Sequence, residues 1–150
     1  MRAVVQRVLW ARVEIDGRVC AEIAHGYLLL LGIHQDDGED EVLLLAKKAA
    51  ELRVFEDESG KMNCSLSEVG GGMLIVPNFT LYADTSRGRR PSFITAARPQ
   101  HAKPLYERFV QAVTQRGISS VRTGEFGADM KVSLLNDGPV TILLDTKDYR

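Results

Sequence analysis

Cysteine, histidine and long apolar runs are all scarce in this 150-residue chain, and each scarcity excludes a class of protein. Cys20 and Cys64 are too few and too far apart for a disulfide framework or a zinc site. That points to a reducing compartment, the cytoplasm, as does the absence of a cleavable signal before Met1-Arg2. The histidines His25, His34 and His101 lie in unrelated contexts without ligand spacing, so neither a metal nor another cofactor is expected. The longest apolar run, Tyr27 to Ile33, falls far short of the ~20 residues that cross a bilayer, so a soluble protein with no membrane partner is expected. An excess of one charge is missing too. With 19 Lys and Arg against 20 Asp and Glu, the net charge is −1, and any anionic partner must be held by a local cluster of cations. No G-x-S-x-G nucleophile elbow occurs, and Gly70-Gly71-Gly72 lacks the Lys-Ser/Thr that would make it a phosphate loop.

What is present is apolar patterning. A hydrophobic content of 45%, without repeats, low-complexity tracts or linkers, predicts a single domain over residues 1–150. Such a domain buries roughly 68–70% of the surface of its unfolded chain. From Ala3 to Ile15 alternate residues read Ala3, Val5, Arg7, Leu9, Ala11, Val13 and Ile15, a long strand with one charge on its apolar face. Asp16-Gly17 supplies a hairpin turn into Arg18 to Ile23, and the run from Tyr27 to Leu31 predicts a third antiparallel strand covered on both faces. The period changes over Glu41 to Leu52, where Val42, Leu45, Ala46, Ala49 and Leu52 share one helical face. It changes again over His101 to Arg116, where Leu105, Phe109, Ala112 and Val113 form a second stripe. Between these helices lie a hairpin over residues 53–63, a capping-box turn at Ser65 and Glu68, and a strand over Met73 to Tyr82. Pro77 must bulge that strand, end it or confine it to an edge. Strands near Ser119 to Thr123, Met130 to Leu135 and Val140 to Asp145 complete an α+β order of largely antiparallel sheets with two packed helices. Between the last two, Asn136-Asp137-Gly138-Pro139 reads either as a plain hairpin turn or as a loop that is itself functional.

One further stretch could carry chemistry. "VPNFTLYADTSRGRRPSF", Val76 to Phe93, joins a strand bearing Asn78 and Thr80 to a loop holding Arg87, Arg89 and Arg90. It is a solvated loop after an edge strand, or an anion clamp beside a polar pocket. Arginine forks match phosphate bidentately, and glycine lets the backbone approach a sugar-phosphate chain. Arg7 is likewise either snorkelling at an edge or paired in a site.

Taken together, Asn78-Phe79-Thr80-Leu81, Ala83-Asp84-Thr85, Arg87-Gly88, Arg90-Pro91-Ser92-Phe93 and Asn136-Asp137-Gly138-Pro139-Val140-Thr141 resemble the signatures of the D-aminoacyl-tRNA deacylase family. Val5-Gln6-Arg7-Val8, Gly60-Lys61-Met62-Asn63 and Ala128-Asp129-Met130 extend the resemblance over essentially the full chain. The resemblance implies that family's barrel-like α+β fold. It also implies a homodimer that hydrolyses the ester between a D-amino acid and the 3′-terminal adenosine of tRNA. Free D-amino acid and tRNA are released in this proofreading step, and mischarged glycyl-tRNA would be cleaved as well. In this resemblance Asn78, Phe79 and Thr80 form the catalytic segment. Backbone amides near Phe79 and Thr80 meet the developing oxyanion, and the Thr80 hydroxyl positions water, since the signature offers no base to activate it as a nucleophile. Gly138 and Pro139, joined by a cis peptide bond, would enter the partner's pocket, hold the substrate amino group with their carbonyls and exclude an L side chain. Arg7 would brace that loop or the pocket, and Phe93 and Met130 would form pocket walls. Arg87, Arg89 and Arg90, with Lys47 and Lys48, would hold the tRNA acceptor end through phosphates. The family signature usually has Ser-Gln where this chain has Pro77-Asn78: asparagine keeps the amide but is one methylene shorter, and proline removes a hydroxyl and an N–H. Two rival readings use the same residues: a tRNA-binding module with a spoiled pocket, and an ester hydrolase of relaxed chirality acting on glycyl or other small residues.

Overall fold

The computed structural model describes residues 1–150. The alternating N-terminal segment forms β1 (Arg2–Ile15), which turns at Asp16-Gly17 into β2 (Arg18–Ile23) and leads to β3 (Gly26–Gly32). Both residues of that turn have positive φ, 51° and 75°, as the tight hairpins that match strand twist require. Helix α1 (Glu39–Glu51), the small hairpin β4 (Phe55–Glu56) and β5 (Met62–Cys64), and β6 (Gly72–Pro77) follow. A 3-10 turn (Phe79–Tyr82), helix α2 (Pro99–Thr114), β7 (Ser120–Thr123) and β8 (Lys131–Asp145) complete the order. Neither helix is long and apolar enough to cross a membrane.

Six strands form one mixed sheet in the order β2-β1-β3-β6-β7, with β8 paired along the opposite side of β1, and the sheet curls into a nearly closed barrel. The α+β class and the two packed helices agree with the sequence reading. Two of the ladders, β3–β6 and β6–β7, are parallel. The reason lies in the connections: α1 sits between β3 and β6, α2 sits between β6 and β7, and a crossover of this kind returns the chain in the same direction. Alternation then sorts side chains into two interiors. Tyr27, Leu29, Met73 and Ile75 face the helices, against Leu45, Ala49, Phe109 and Val113. Leu28, Leu74 and Val76 face the barrel interior with Val8, Ala11 and Val13. Each of the valine, leucine, isoleucine, methionine and phenylalanine side chains contributes about 1.5–3 kcal/mol by leaving water.

Three local expectations change. The alternation of β1 does not keep to one face, because its register against β8 shifts between Gln6 and Val8 and again between Val8 and Trp10. Ala3 and Val5 therefore face the helices, Val8, Ala11 and Val13 face the barrel interior, and Leu9 is half exposed. The strand expected to reach Tyr82 stops at Pro77, and the apolar run after it folds into the 3-10 turn. Finally, the segments on either side of Asn136-Asp137-Gly138-Pro139 are not hairpin partners. They are one strand, β8, running antiparallel to β1, with Asn136 opposite Val8 and Thr141 opposite Gln6. β8 takes five residue steps there while β1 takes two, so the residues between Asn136 and Thr141 are thrown out as a loop.

Candidate active site

The site is built at the end of β6. Pro77 has no N–H to donate, and the Asn78 N–H makes the last bond to β3, donating to the carbonyl of Leu31, the register partner of Pro77, at 2.8 Å. The Asn78 side-chain carbonyl then caps the 3-10 turn, accepting from the Thr80 N–H at 3.2 Å and from the Thr80 hydroxyl. At the far end the Ala83 N–H donates to the Thr80 carbonyl at 3.1 Å, and Arg2 donates to the Leu81 carbonyl at 2.8 Å. None of these bonds uses the Phe79 N–H.

Beyond the turn, Asp84 and Ser92 exchange two backbone hydrogen bonds of 2.8 Å, closing the loop that carries the three arginines. The Asp84 carboxylate accepts from the Ser86 N–H at 2.9 Å, and hydrogen bonding by Ser86 holds its carboxyl below the usual range. Arg87, Arg89 and Arg90 are exposed, and none pairs with a carboxylate. The closure returns Phe93 to Phe79, whose rings meet edge to face at 5.1 Å.

A cleft of about 620 Å³ opens here, lined by Asn78, Phe79, Phe93, Ile94, Phe126 and Met130 among others. This is the size of a small-ligand pocket. Behind it the Tyr106 hydroxyl donates toward the Ile75 and Gly124 carbonyls at 3.1 and 3.3 Å, tying β6 to the segment that carries Phe126, and burial pushes its pKa up to about 12. Gly124 makes room for Met130: a Cβ there would lie 2.6 Å from the methionine sulfur. The lining contains no carboxylate, histidine or cysteine, and Arg98 is its single charge. No group of three or more His, Cys, Asp or Glu side chains is placed to hold a metal.

The expected site residues fall into separate groups. Asn78, Phe79, Phe93 and Met130 line the cleft, and Thr80 is exposed in the same turn. Arg87, Arg89 and Arg90 project from the adjoining loop, whereas Lys47 and Lys48 lie on α1, Lys48 over the ring of Tyr149. Arg7, Gly138 and Pro139 do not line the cleft of their own chain. Arg7 is instead a buried strut: its Nε donates to the Asp137 carbonyl at 2.9 Å and its Nη1 to the Val54 carbonyl at 2.7 Å. The loop it supports is closed by Asn136, whose side chain accepts from the Val140 N–H at 2.8 Å and donates to the Val140 carbonyl at 3.3 Å. The Gly138–Pro139 peptide bond is cis, Gly138 has φ 144°, and both residues are exposed. Sequence reasoning did not single out Ile94, Phe126 or Arg98 in the cleft, nor Arg2 behind the turn, since none belongs to a spaced motif.

A family model described as D-Tyr-tRNA(Tyr) deacylase matches residues 4–145. A D-aminoacyl-tRNA deacylase of Thermus aquaticus is 55% identical over 148 residues, covering 99% of this chain and 97% of that protein. One from Thermosipho africanus is 53% identical over 147 residues, covering 98% of each. Among solved structures, a c-Myc DNA Unwinding Element Binding Protein superposes with a TM-score of 0.92 at 38% identity, covering 97% of this chain and 98% of that one. A probable eukaryotic D-amino acid tRNA deacylase gives 0.84 at 16% identity, covering 95% and 97%, which is a likeness of fold alone.

Proposed function

The chain belongs to the D-Tyr-tRNA(Tyr) deacylase family, and from that membership we propose that it is a cytoplasmic proofreading hydrolase acting on the ester of D-aminoacyl-tRNA. The whole chain acts as one deacylase domain and releases free D-amino acid and tRNA. The observation that carries this reading is the cleft: mostly apolar, about 620 Å³, with the Phe79–Thr80 turn at its side and no carboxylate, histidine or cysteine in its lining. An aminoacyl ester is already activated, so it needs positioning and an oxyanion donor more than a strong base. The terminal adenosine packs among Phe79, Phe93 and Met130, and the ester carbonyl faces the turn. Water, oriented by the Thr80 hydroxyl, adds to the carbonyl carbon. The Phe79 N–H meets the oxyanion, and as the tetrahedral adduct collapses the C–O bond to the ribose breaks, its 3′-oxygen leaving with a proton given up by the attacking water. Losing such a donor typically costs about 10²–10³ in rate.

Chirality is read in trans. The exposed Gly138–Pro139 loop enters the cleft of a second copy, its carbonyls hold the substrate amino group, and an L side chain meets the loop. The exposure of both loop residues, and of Leu9, Trp10 and Leu135 on the strands beside them, supports a homodimer with this face inside. Glycine has no side chain to reject, so glycyl-tRNA is cleaved as well. Arg87, Arg89 and Arg90 grip the acceptor-end phosphates.

The test is hydrolysis of matched D-aminoacyl-, L-aminoacyl- and glycyl-tRNA by the purified protein, repeated with Pro139→Ala and with chelator. Cleavage of the D and glycyl esters alone, unaffected by chelator, with L-ester cleavage gained on Pro139→Ala, is expected. An unchanged D-ester half-life with intact tRNA binding would leave only the binding-module reading.

A further inference from the structure

We infer that Arg2 is a positioning residue for this reaction, holding the Phe79–Thr80 turn in its working orientation by clamping the Leu81 carbonyl to Asp145. The inference rests on the functional reading above. Arg2 is the first residue of β1, and its guanidinium is used in three directions at once. Nη1 donates to the Leu81 carbonyl at 2.8 Å. Nε donates to Oδ2 of Asp145 at 2.9 Å, and Nη2 lies 2.8 Å from the same oxygen. The guanidinium carbon sits 4.8 Å over the ring of Tyr82, the last residue of the turn. Asp145 is itself fixed, because its other oxygen accepts from the Lys147 N–H at 3.1 Å and its backbone is the register partner of Arg2.

The consequence follows from the stiffness of peptide planes. A four-residue 3-10 turn has few soft dihedrals, so fixing the Leu81 carbonyl from outside constrains the tilt of the peptides before it, including the one that carries the Phe79 N–H. The Asn78 cap and the Ala83–Thr80 bond hold the turn's own ends. Arg2 adds a side-chain restraint from the sheet, and its anchor lies on β8, the strand that also carries Gly138 and Pro139. One rigid frame thus sets both the donor turn and the loop. A lysine, a point charge on a flexible stem, cannot reproduce the fork.

The experiment compares Arg2→Ala, Arg2→Lys and the control Thr146→Val in the full chain, below the melting temperature of each. Thr146 is buried in the same corner, and its hydroxyl bonds to Met1, accepting from the ammonium at 2.7 Å and donating to the carbonyl at 3.2 Å. Arg2→Ala is expected to lower kcat on D-aminoacyl-tRNA about 10- to 100-fold, within what a 1 Å misplacement costs, with KM nearly unchanged. Arg2→Lys should behave like Arg2→Ala, and free guanidinium ion should restore part of kcat to Arg2→Ala only. Thr146→Val should melt earlier yet keep its kcat. The Phe79 and Thr80 amide resonances should shift in both Arg2 variants and return with guanidinium in Arg2→Ala only. The inference is overturned by an Arg2→Ala kcat like that of the wild type, by unmoved amide resonances, or by an equal kcat loss in Thr146→Val. A wild type that leaves D-aminoacyl-tRNA intact defeats the functional reading and the inference with it, and is recognised before any variant is compared.

Discussion

Replacing Arg7 by alanine asks whether the Gly138–Pro139 loop owes its shape to a strut. The side chain is 7% exposed and donates to two backbone carbonyls, Asp137 at 2.9 Å and Val54 at 2.7 Å, with the Asp137 carboxylate 3.6 Å from Nε. Hydrogen bonds to a charged group contribute about 1.5–3 kcal/mol each, and their loss strips both carbonyls of this donor. Relief of the arginine's own desolvation offsets part of this, leaving a loss of about 3–5 kcal/mol, the range for breaking a buried charged contact. For a chain of this length each kcal/mol moves the melting temperature about 2–4 °C, so Arg7→Ala should melt about 6–20 °C lower. The vacancy lies directly beneath the loop, since Nη2 is 3.5 Å from where a Cβ on Gly138 would sit. Discrimination should therefore degrade too, with L-aminoacyl-tRNA cleaved faster while D-aminoacyl-tRNA is still cleaved. Arg7→Lys, able to reach one carbonyl, should lose roughly half as much stability. Thermal unfolding and paired D- and L-ester assays read the two effects. A variant that melts within about 2 °C of the wild type and keeps its D/L ratio would refute the strut.

Gly26→Ala should abolish cooperative folding or cost at least about 4 kcal/mol, because its Cβ would lie 1.9 Å from the Gly72 carbonyl oxygen at a φ of 152°; a variant melting like the wild type would contradict the close β3–β6 approach. For Asp145, burial alone would raise the pKa, but the Lys147 N–H and Arg2 outweigh it and leave it below the usual value. A depressed carboxyl stabilises the folded state above its unfolded pKa of about 3.9 and loses that contribution as pH falls through the folded value. Melting temperature should thus drop steeply in acid for the wild type and more gently for Asp145→Asn, which should start lower at neutral pH; parallel curves would dismiss the linkage. Alanine at Arg87, Arg89 and Arg90 together should weaken tRNA binding and reduce the slope of log K against log salt by about 2–3, at about 0.7–0.9 per phosphate contact; an unchanged slope would remove these arginines from the RNA surface.

The helices were legible because each has one face in water and one in a core, and β3 because an unbroken apolar run marks a strand covered on both faces. Direction and pairing were less so. Nothing in the period of β6 says that it runs parallel to β3; that follows from the two helices acting as crossovers. Asn136-Asp137-Gly138-Pro139 has turn chemistry whether the chain reverses or bulges. The outcome is decided by β1, far away in sequence and long enough to pair with both flanks of the loop. Phe79-Thr80-Leu81-Tyr82 reads as more strand until the missing N–H of Pro77 and the Asn78 cap are counted together. Arg7 could be flagged because a charge on an apolar face needs partners. Arg2 could not, since a charge at a strand end looks like surface until the structure shows Leu81, Tyr82 and Asp145 around it.

The pair Pro77-Asn78 bears on which atoms of the turn are left for chemistry in the proposed reaction. One oxygen, Oδ1 of Asn78, accepts both the N–H and the hydroxyl proton of Thr80. A threonine nucleophile must give that proton to a base, and an amide oxygen is not one; the hydroxyl instead keeps lone pairs free to accept from water. With Thr80 so engaged, the Phe79 N–H is the donor left for an oxyanion. The cleft lining adds no histidine, carboxylate or cysteine, and in the proposed reaction rate comes from where donors point and selectivity from what the loop excludes. Both demands are geometric, and two of the charges nearby serve as braces outside the cleft: Arg7 against the loop, Arg2 against the turn.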